Sequence, residues 1–195
     1  MKDKIRYMTK QLRRATRSVK SQVQLLLFIL ALMWILEAID TVVGGRFNLL
    51  GIRPRSIDGL IGIIFAPLLH GSFEHLAANS VPFAVLGWFI LARSRDEFWL
   101  VTLIVWLVSG LGAWAFGASH SIHIGASGVI FGYFGFLLFR GVFDRNWLSL
   151  FLAVIVIAIY GPIIYGVLPL QIGISWQGHL FGFVGGALAA KLIAQ

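Results

Sequence analysis

The chain has no cysteine and few charged residues. Without cysteine it can form neither disulfide bonds nor thiolate metal sites. Charged residues make up only 12% of its 195 residues, whereas 58% are hydrophobic and the mean hydropathy is +0.87. These values lie far outside the range of a soluble domain. Because the apolar segments are continuous rather than short and alternating, a β-barrel is excluded and an all-α polytopic membrane protein is predicted.

Positive charge is concentrated at the start of the chain. The net charge is +8, and eight of the sixteen Lys and Arg residues lie in the first twenty positions. This distribution favours a basic cytoplasmic segment that faces lipid, over residues 1–21, and argues against a nucleic-acid partner. A signal peptide is disfavoured because Glu37 and Asp40 follow the apolar run where a small-residue cleavage site would be expected. Residues 22–195 are predicted to form one membrane domain.

Six apolar segments are long enough, or nearly so, for the ~20 residues that a membrane-spanning helix needs. An apolar first loop over residues 44–70 contains several glycines and prolines, and it is predicted to be interfacial or re-entrant rather than spanning. The predicted spans cover residues 22–42, 75–92, 98–117, 127–140, 147–166 and 176–192.

The distribution of Lys and Arg predicts the orientation of the spans. With the N-terminus inside, thirteen of the sixteen basic residues fall in cytoplasmic segments. The other three, Arg46, Arg53 and Arg55, all lie in the first outer loop. Both termini are therefore predicted to be cytoplasmic. The basic N-terminal arm and the short length further favour a multi-pass protein of a bacterial inner membrane.

Polar residues near the outer ends of three co-directional spans share one depth. Asn79, Ser127 and His179 lie in spans two, four and six, and His75 lies one helical turn before Asn79. At ~1.5 Å per residue, the distances from these three to the next cytoplasmic charge are about 21, 20 and 18 Å. Against a hydrocarbon core of ~30 Å, all three lie roughly 10 Å below the outer face.

Glycine pairs predict which spans approach closely. Gly128 and Gly132 in span four, and Gly182 and Gly186 in span six, form GxxxG pairs that allow backbones to pack closely. Each pair begins near the polar residue of its own span. Close packing of spans four and six would therefore bring the serine to the histidine.

A serine beside an imidazole is an arrangement for nucleophilic catalysis. His179 is the candidate base for Ser127, because a hydroxyl needs its proton removed to attack a carbonyl. The backbone N–H of Ser127, together with His75 and Asn79, would donate hydrogen bonds to an oxyanion. Phe131, one turn after the serine, would pack its ring on the imidazole. No carboxylate lies near enough in the pattern to complete a triad.

Other interpretations of these residues are weaker. A lone serine in a membrane helix is usually a packing residue, and Asn79 would also serve as interhelical contact. His120 and His123 form an HxxH pattern, but in a loop without a nearby carboxylate, so no metal site is predicted. A small transporter is disfavoured because the chain shows no inverted repeat. No cofactor is expected.

At these residues the chain resembles the rhomboid family of intramembrane serine proteases. The resemblance covers residues 22–192 and rests on three motifs in order: HGSFEHLAAN from His70, GASG from Gly125 and GHLFGFVGG from Gly178. The six spans and the long first loop match the family's basic bacterial form.

The resemblance implies a fold and an activity. It implies a six-helix bundle that cleaves single-pass transmembrane proteins near the outer face of the bilayer, with no cofactor. The alternative within the family is an inactive rhomboid-like protein that binds membrane clients, although such proteins typically lose the serine or the histidine. The physiological substrate and the oligomeric state are left open. The implied site consists of the nucleophile Ser127, the base His179 and the supporting residues His75, Asn79, Gly125 and Phe131.

Overall fold

The computed structural model describes residues 2–170 and 173–194, with side chains from residue 18 onward. This part of the chain is almost entirely helical and contains no β-strand. Short 3-10 helices cover Arg46–Leu50, Asp58–Ile61, Ala66–Leu68 and Gly161–Val167. The α-helices are α1 Lys2–Val42, α2 Gly62–Phe65, α3 Phe73–Arg93, α4 Arg95–Phe116, α5 Ser127–Phe143, α6 Trp147–Tyr160 and α7 Trp176–Ile193.

Each of the six predicted spans coincides with a helix. Within the described ranges, four helical stretches are long and apolar enough to cross a bilayer: Ser18–Val42, α3, α4 and Trp147–Val167. α5 is also apolar but has only 17 residues. α7 has 18 residues, among them four glycines, and its glycine face is buried in the protein.

Two predicted spans end differently in the structure from the way the sequence predicts. α1 continues without a break from Lys2 to Val42, so the predicted boundary between residues 21 and 22 falls inside one helix. The predicted fifth span ends in a 3-10 segment, Gly161–Val167, rather than in α-helix. Pro162 explains this change, because proline has no backbone N–H to donate and its ring obstructs the preceding turn.

The first loop contains several short helices rather than one long helix. Its short helices fold back onto the ends of the bundle, and Asp40 at the end of α1 accepts a hydrogen bond from Phe47 N at 2.6 Å. Further along, Trp106 of α4 donates to Ile63 O at 2.5 Å and Trp114 donates to Ser56 O at 2.8 Å. These indole bonds fasten the loop to α4.

α5 lies at the centre of the bundle. Most of its residues are buried, including Ile130, Tyr133 and Phe136, and it packs against α3, α4, α6 and α7. α6 buries little of its surface: Ala153 fits against Gly141 of α5, while most of its apolar side chains are exposed. α1 packs on α3, where Trp34 donates to Ser80.

A cluster of four charged residues joins the helices at the end of the bundle opposite Ser127. We call Arg93, Glu97, Arg140 and Asp144 the four-charge cluster. Asp144 accepts a hydrogen bond from Arg93 at 2.7 Å and forms an ion pair with Arg140 at 2.8 Å, and each arginine also lies 3.5 Å from Glu97. Because these residues come from the ends of α3 and α5, the start of α4 and the turn before α6, the cluster connects four helices.

Candidate active site

The loop before α5 is held at both of its last two residues. Gly125 N donates to Ala66 O at 2.8 Å, and Ala126 N donates to His70 Nε2 at 3.4 Å. Gly125 has a φ of 112°, which favours glycine, and a Cβ there would lie 2.8 Å from the ring of His75. The loop therefore approaches α3 closely and delivers Ser127 as the first residue of α5.

Backbone packing fixes α5 against α7. A Cβ on Gly182 would overlap the carbonyl oxygen of Gly128, and one on Gly186 would overlap that of Gly132. The two pairs predicted to mediate packing therefore face each other. Residues 128 and 132 also need to be small for a reason that the pattern did not indicate, because side chains there would collide with Ser109 and Val105 of α4.

This packing places Ser127 beside His179. The distance from Ser127 Oγ to His179 Nε2 is 2.7 Å, within hydrogen-bond range. The other ring nitrogen, His179 Nδ1, lies 2.9 Å from the carbonyl oxygen of Gly166. A carbonyl can only accept, so the neutral imidazole carries its hydrogen on Nδ1. Nε2 is then an acceptor, and the serine hydroxyl donates to it.

The imidazole is also held from its faces and edges. The Phe131 ring stacks on it with centroids 4.1 Å apart and an interplanar angle of 8°. Gly166 passes so close that a Cβ there would lie 2.6 Å from Phe131 Cζ and 3.2 Å from His179 Nδ1. Only 7% of His179 is exposed. Its orientation is therefore fixed by stacking, by the serine and by a backbone carbonyl.

His75 and Asn79 border the same cavity as the serine. They line it together with Ser127, Phe131 and His179, and its volume is ≈ 990 Å³. Asn79 is buried, and its Nδ2 has no hydrogen-bond partner among the described residues. A donor in such a position is available to a ligand that brings an acceptor.

Part of the cavity wall comes from the segment after α6. Pro162, Ile163 and Tyr165 of the 3-10 segment line it, followed by Pro169 and Leu170. Its lining is therefore mixed, with polar side chains from α3, α5 and α7 and mostly apolar ones from the segment after α6.

Two groups in this arrangement were not identified from the sequence. The carbonyl of Gly166 orients the imidazole, but a backbone group leaves no chemical signature in the residue type. His70, which is 1% exposed and holds Ala126, belongs to a quoted motif but was given no role. The described side chains contain no group of three or more His, Cys, Asp or Glu residues that could hold a metal ion.

The long apolar helices and the buried serine–histidine pair between them define a helical protein of the membrane class. The model of the Rhomboid domain matches residues 58–195. The chain belongs to the rhomboid family and is a multi-pass integral membrane protein.

Three relatives match most of the chain, and the name of one of them agrees with the family assignment. An uncharacterised protein of Mycobacterium tuberculosis (strain ATCC 25618 / H37Rv) is 41% identical over 194 residues, which cover 95% of this chain and 80% of that protein. An uncharacterised protein of Mycobacterium leprae (strain TN) is 38% identical over 177 residues, 87% of this chain and 70% of that protein. A Bacillus subtilis (strain 168) protein named "Putative rhomboid protease YdcA" is 30% identical over 179 residues, 86% of this chain and 87% of that protein.

Proposed function

We propose that this chain is an intramembrane serine endopeptidase that cleaves transmembrane helices near the outer face of the bilayer. The observation that carries the proposal is the 2.7 Å hydrogen bond from Ser127 to His179, whose Nδ1 is held by Gly166 O. Membership of the rhomboid family and the name of the Bacillus subtilis relative support the same activity.

The first half of the reaction uses the hydrogen-bond direction already described. Ser127 Oγ attacks the carbonyl carbon of the scissile peptide bond while its proton passes to His179 Nε2. The oxyanion that forms accepts hydrogen bonds from Ser127 N, Asn79 Nδ2 and the His75 ring. Collapse of this intermediate breaks the C–N bond, and the imidazolium gives its proton to the leaving amine.

The second half restores the serine. Water attacks the ester formed on Ser127, again losing a proton to His179 Nε2, and the acid product leaves when the proton returns to Ser127 Oγ. The imidazole takes up and releases one proton in each half. The Gly166 carbonyl stabilises the imidazolium because Nδ1–H continues to donate to it.

The proposal includes six spans with both termini in the cytoplasm, an arrangement in which this site would lie on the outer side of the bilayer. The absence of native cysteine allows a direct test. With Ala118→Cys in the loop before α5, a membrane-impermeant maleimide should label intact cells, whereas Ser18→Cys in α1 should react only after permeabilisation. Both positions are exposed in the fold. The reverse labelling pattern would overturn the proposed orientation.

The activity itself is tested with a fluorophosphonate probe and a transmembrane-helix substrate. The wild-type chain should cleave the substrate and carry the probe on Ser127. Ser127→Ala should abolish both, and His179→Ala should abolish cleavage and slow labelling by several orders of magnitude, because the serine loses its base. A folded wild-type chain that binds the helix without cutting it would instead support the inactive client-binding alternative.

A further inference from the structure

His123 lies in the loop before α5, four residues ahead of Ser127, and is only 9% exposed. Its main chain pairs with the first loop: His123 N donates to Ile52 O and Ile52 N donates to His123 O, both at 2.9 Å. The position of its backbone is therefore fixed independently of its ring. This raises the question of what the buried ring does.

Both nitrogens of the His123 ring are hydrogen-bonded. Nε2 lies 2.8 Å from Ser121 Oγ, and Nδ1 lies 2.6 Å from Ser175 Oγ. Ser121 Oγ donates its single hydrogen to Ala118 O at 2.6 Å, so it can only accept from the ring. The neutral ring therefore carries its hydrogen on Nε2, and Ser175 donates to Nδ1.

The bond to Ser175 reaches the start of the helix that carries His179. Ser175 immediately precedes α7, and its carbonyl accepts from His179 N at 3.0 Å in the first turn of the helix. The loop that ends in Ser127 and the turn that contains His179 are thus connected twice. One connection is the hydrogen bond between Ser127 and His179, and the other is the 2.6 Å bond between His123 and Ser175.

The ring has little freedom to leave this position. Gly117 lies behind it, and a Cβ there would be 2.5 Å from His123 Nε2. An imidazole suits the place because it offers a donor and an acceptor on opposite sides of one rigid ring. Shorter or more flexible side chains would satisfy Ser121 or Ser175, but not both.

We propose that His123 is a positioning residue, which holds Ser175 and thereby sets the place of His179 relative to Ser127. It does not touch the reacting atoms. The inference rests on the proposed protease function, since its consequence is measured in the reactivity of Ser127. A misplacement of catalytic groups by about 1 Å can cost ~10²-fold in rate, so one hydrogen bond at the helix start is sufficient to matter.

Two substitutions test the roles of Nδ1 and Nε2 of His123 separately. In His123→Asn the amide stands where Nδ1 stood and can still accept from Ser175. In His123→Gln the amide reaches the place of Nε2 and leaves Ser175 without its partner. His123→Ala and Ser175→Ala each remove the hydrogen bond between the two side chains. Together with the double alanine variant they form a double-mutant cycle.

The measurements are kcat, KM and the rate of fluorophosphonate labelling of Ser127, below the melting temperature of every variant. We expect His123→Asn to stay within about threefold of wild type. His123→Ala, His123→Gln and Ser175→Ala should each lower kcat and the labelling rate by roughly 10- to 100-fold, with KM little changed. The double alanine variant should be no slower than either single variant.

Four results would overturn the inference while leaving the protease function intact. These are wild-type rates in His123→Ala, wild-type rates in Ser175→Ala, a His123→Asn variant as slow as His123→Ala, and losses that multiply in the double variant. A fifth such result would be a loss of rate that only matches the fraction of unfolded protein in each variant, since it indicates a merely structural role. A folded wild-type chain that neither cleaves nor labels would instead overturn the proposed function, and the inference with it.

Discussion

Among single residues, Asn79 has the simplest expected contribution to catalysis, which is one hydrogen bond to the oxyanion. Its Nδ2 is buried without a partner in the described structure and faces the cavity that contains Ser127. Asn79→Ala should lower kcat by ~10²-fold, the typical cost of one oxyanion donor, without abolishing activity because Ser127 N and His75 remain. Ser80→Ala is the matched control, since Ser80 faces α1 and accepts from Trp34. Wild-type turnover by a folded Asn79→Ala variant would remove Asn79 from the mechanism.

Gly166 allows a second test at the same scale. In Gly166→Ala the new methyl group would press on Phe131 Cζ at 2.6 Å and displace the carbonyl that holds His179. Turnover should fall at least tenfold while substrate KM stays near its wild-type value. Gly161→Ala in the same 3-10 segment is the control, because its Cβ would meet only Ile157 at an ordinary 3.7 Å. Equal activity of both variants would show that the carbonyl does not orient the imidazole.

The side chains of the site were easier to predict than their support. Ser127, His179, His75 and Asn79 were singled out because a polar residue in an apolar helix is costly and therefore informative. Their functional roles remain predictions until the experiments above are done. The Gly166 carbonyl and the His123–Ser175 bond depend on how loops fold back over the bundle, and no periodicity in the sequence encodes that geometry.

At the scale of helices, the contact between α5 and α7 determines whether the site can form. Gly182→Val would place a branched side chain against the Gly128 carbonyl, so the helices must separate. Overpacking of this kind typically costs ~1–3 kcal/mol, and the displacement should lower turnover by ~10²-fold or more.

The Gly182→Val variant needs two measurements and a control on the same helix. Leu188→Val is suitable because Leu188 is exposed on α7. The melting temperature in detergent should fall by several degrees for Gly182→Val and change little for Leu188→Val. Only Gly182→Val should lose turnover. If Gly182→Val keeps both stability and activity, the two helices do not meet at this residue.

Helix positions followed from hydropathy, but the details of the helices did not. All six predicted segments are helical because continuous apolar runs leave the backbone no other partner in a bilayer. The sequence indicated that Gly128 and Gly132 face α7, and the structure adds that they also make room for α4. The change to 3-10 helix at Gly161–Val167 was missed, although Pro162 was a local signal for it.

At the scale of the whole molecule, the four-charge cluster predicts a dependence of stability on pH. Burial alone would raise the pKa of Asp144, but the hydrogen bond from Ser149 and the guanidinium groups of Arg140 and Arg93 together hold it below its ordinary value. A carboxylate with a lowered folded-state pKa stabilises the fold above its unfolded pKa, and that contribution is lost as the pH falls through the folded value.

Measuring the melting temperature of the wild-type protein between pH 7 and pH 3 tests this prediction. The wild-type melting temperature should be steady near neutral pH and fall below about pH 4, the ordinary range of an aspartate. Asp144→Asn should have a melting temperature several degrees lower at pH 7, because two arginines lose their nearest carboxylate, and the difference from wild type should shrink towards pH 3. A constant difference across the range would show that the Asp144 charge does not contribute to stability.

The Gly166 carbonyl also affects how the protein tolerates mutation. Every amino acid carries the same backbone oxygen, so no exchange of residue type removes this hydrogen-bond acceptor. Among uncharged residues, loss of function through position 166 should therefore scale with side-chain volume. A library of variants at this position would show a size limit, whereas one at Ser127 would show a chemical requirement.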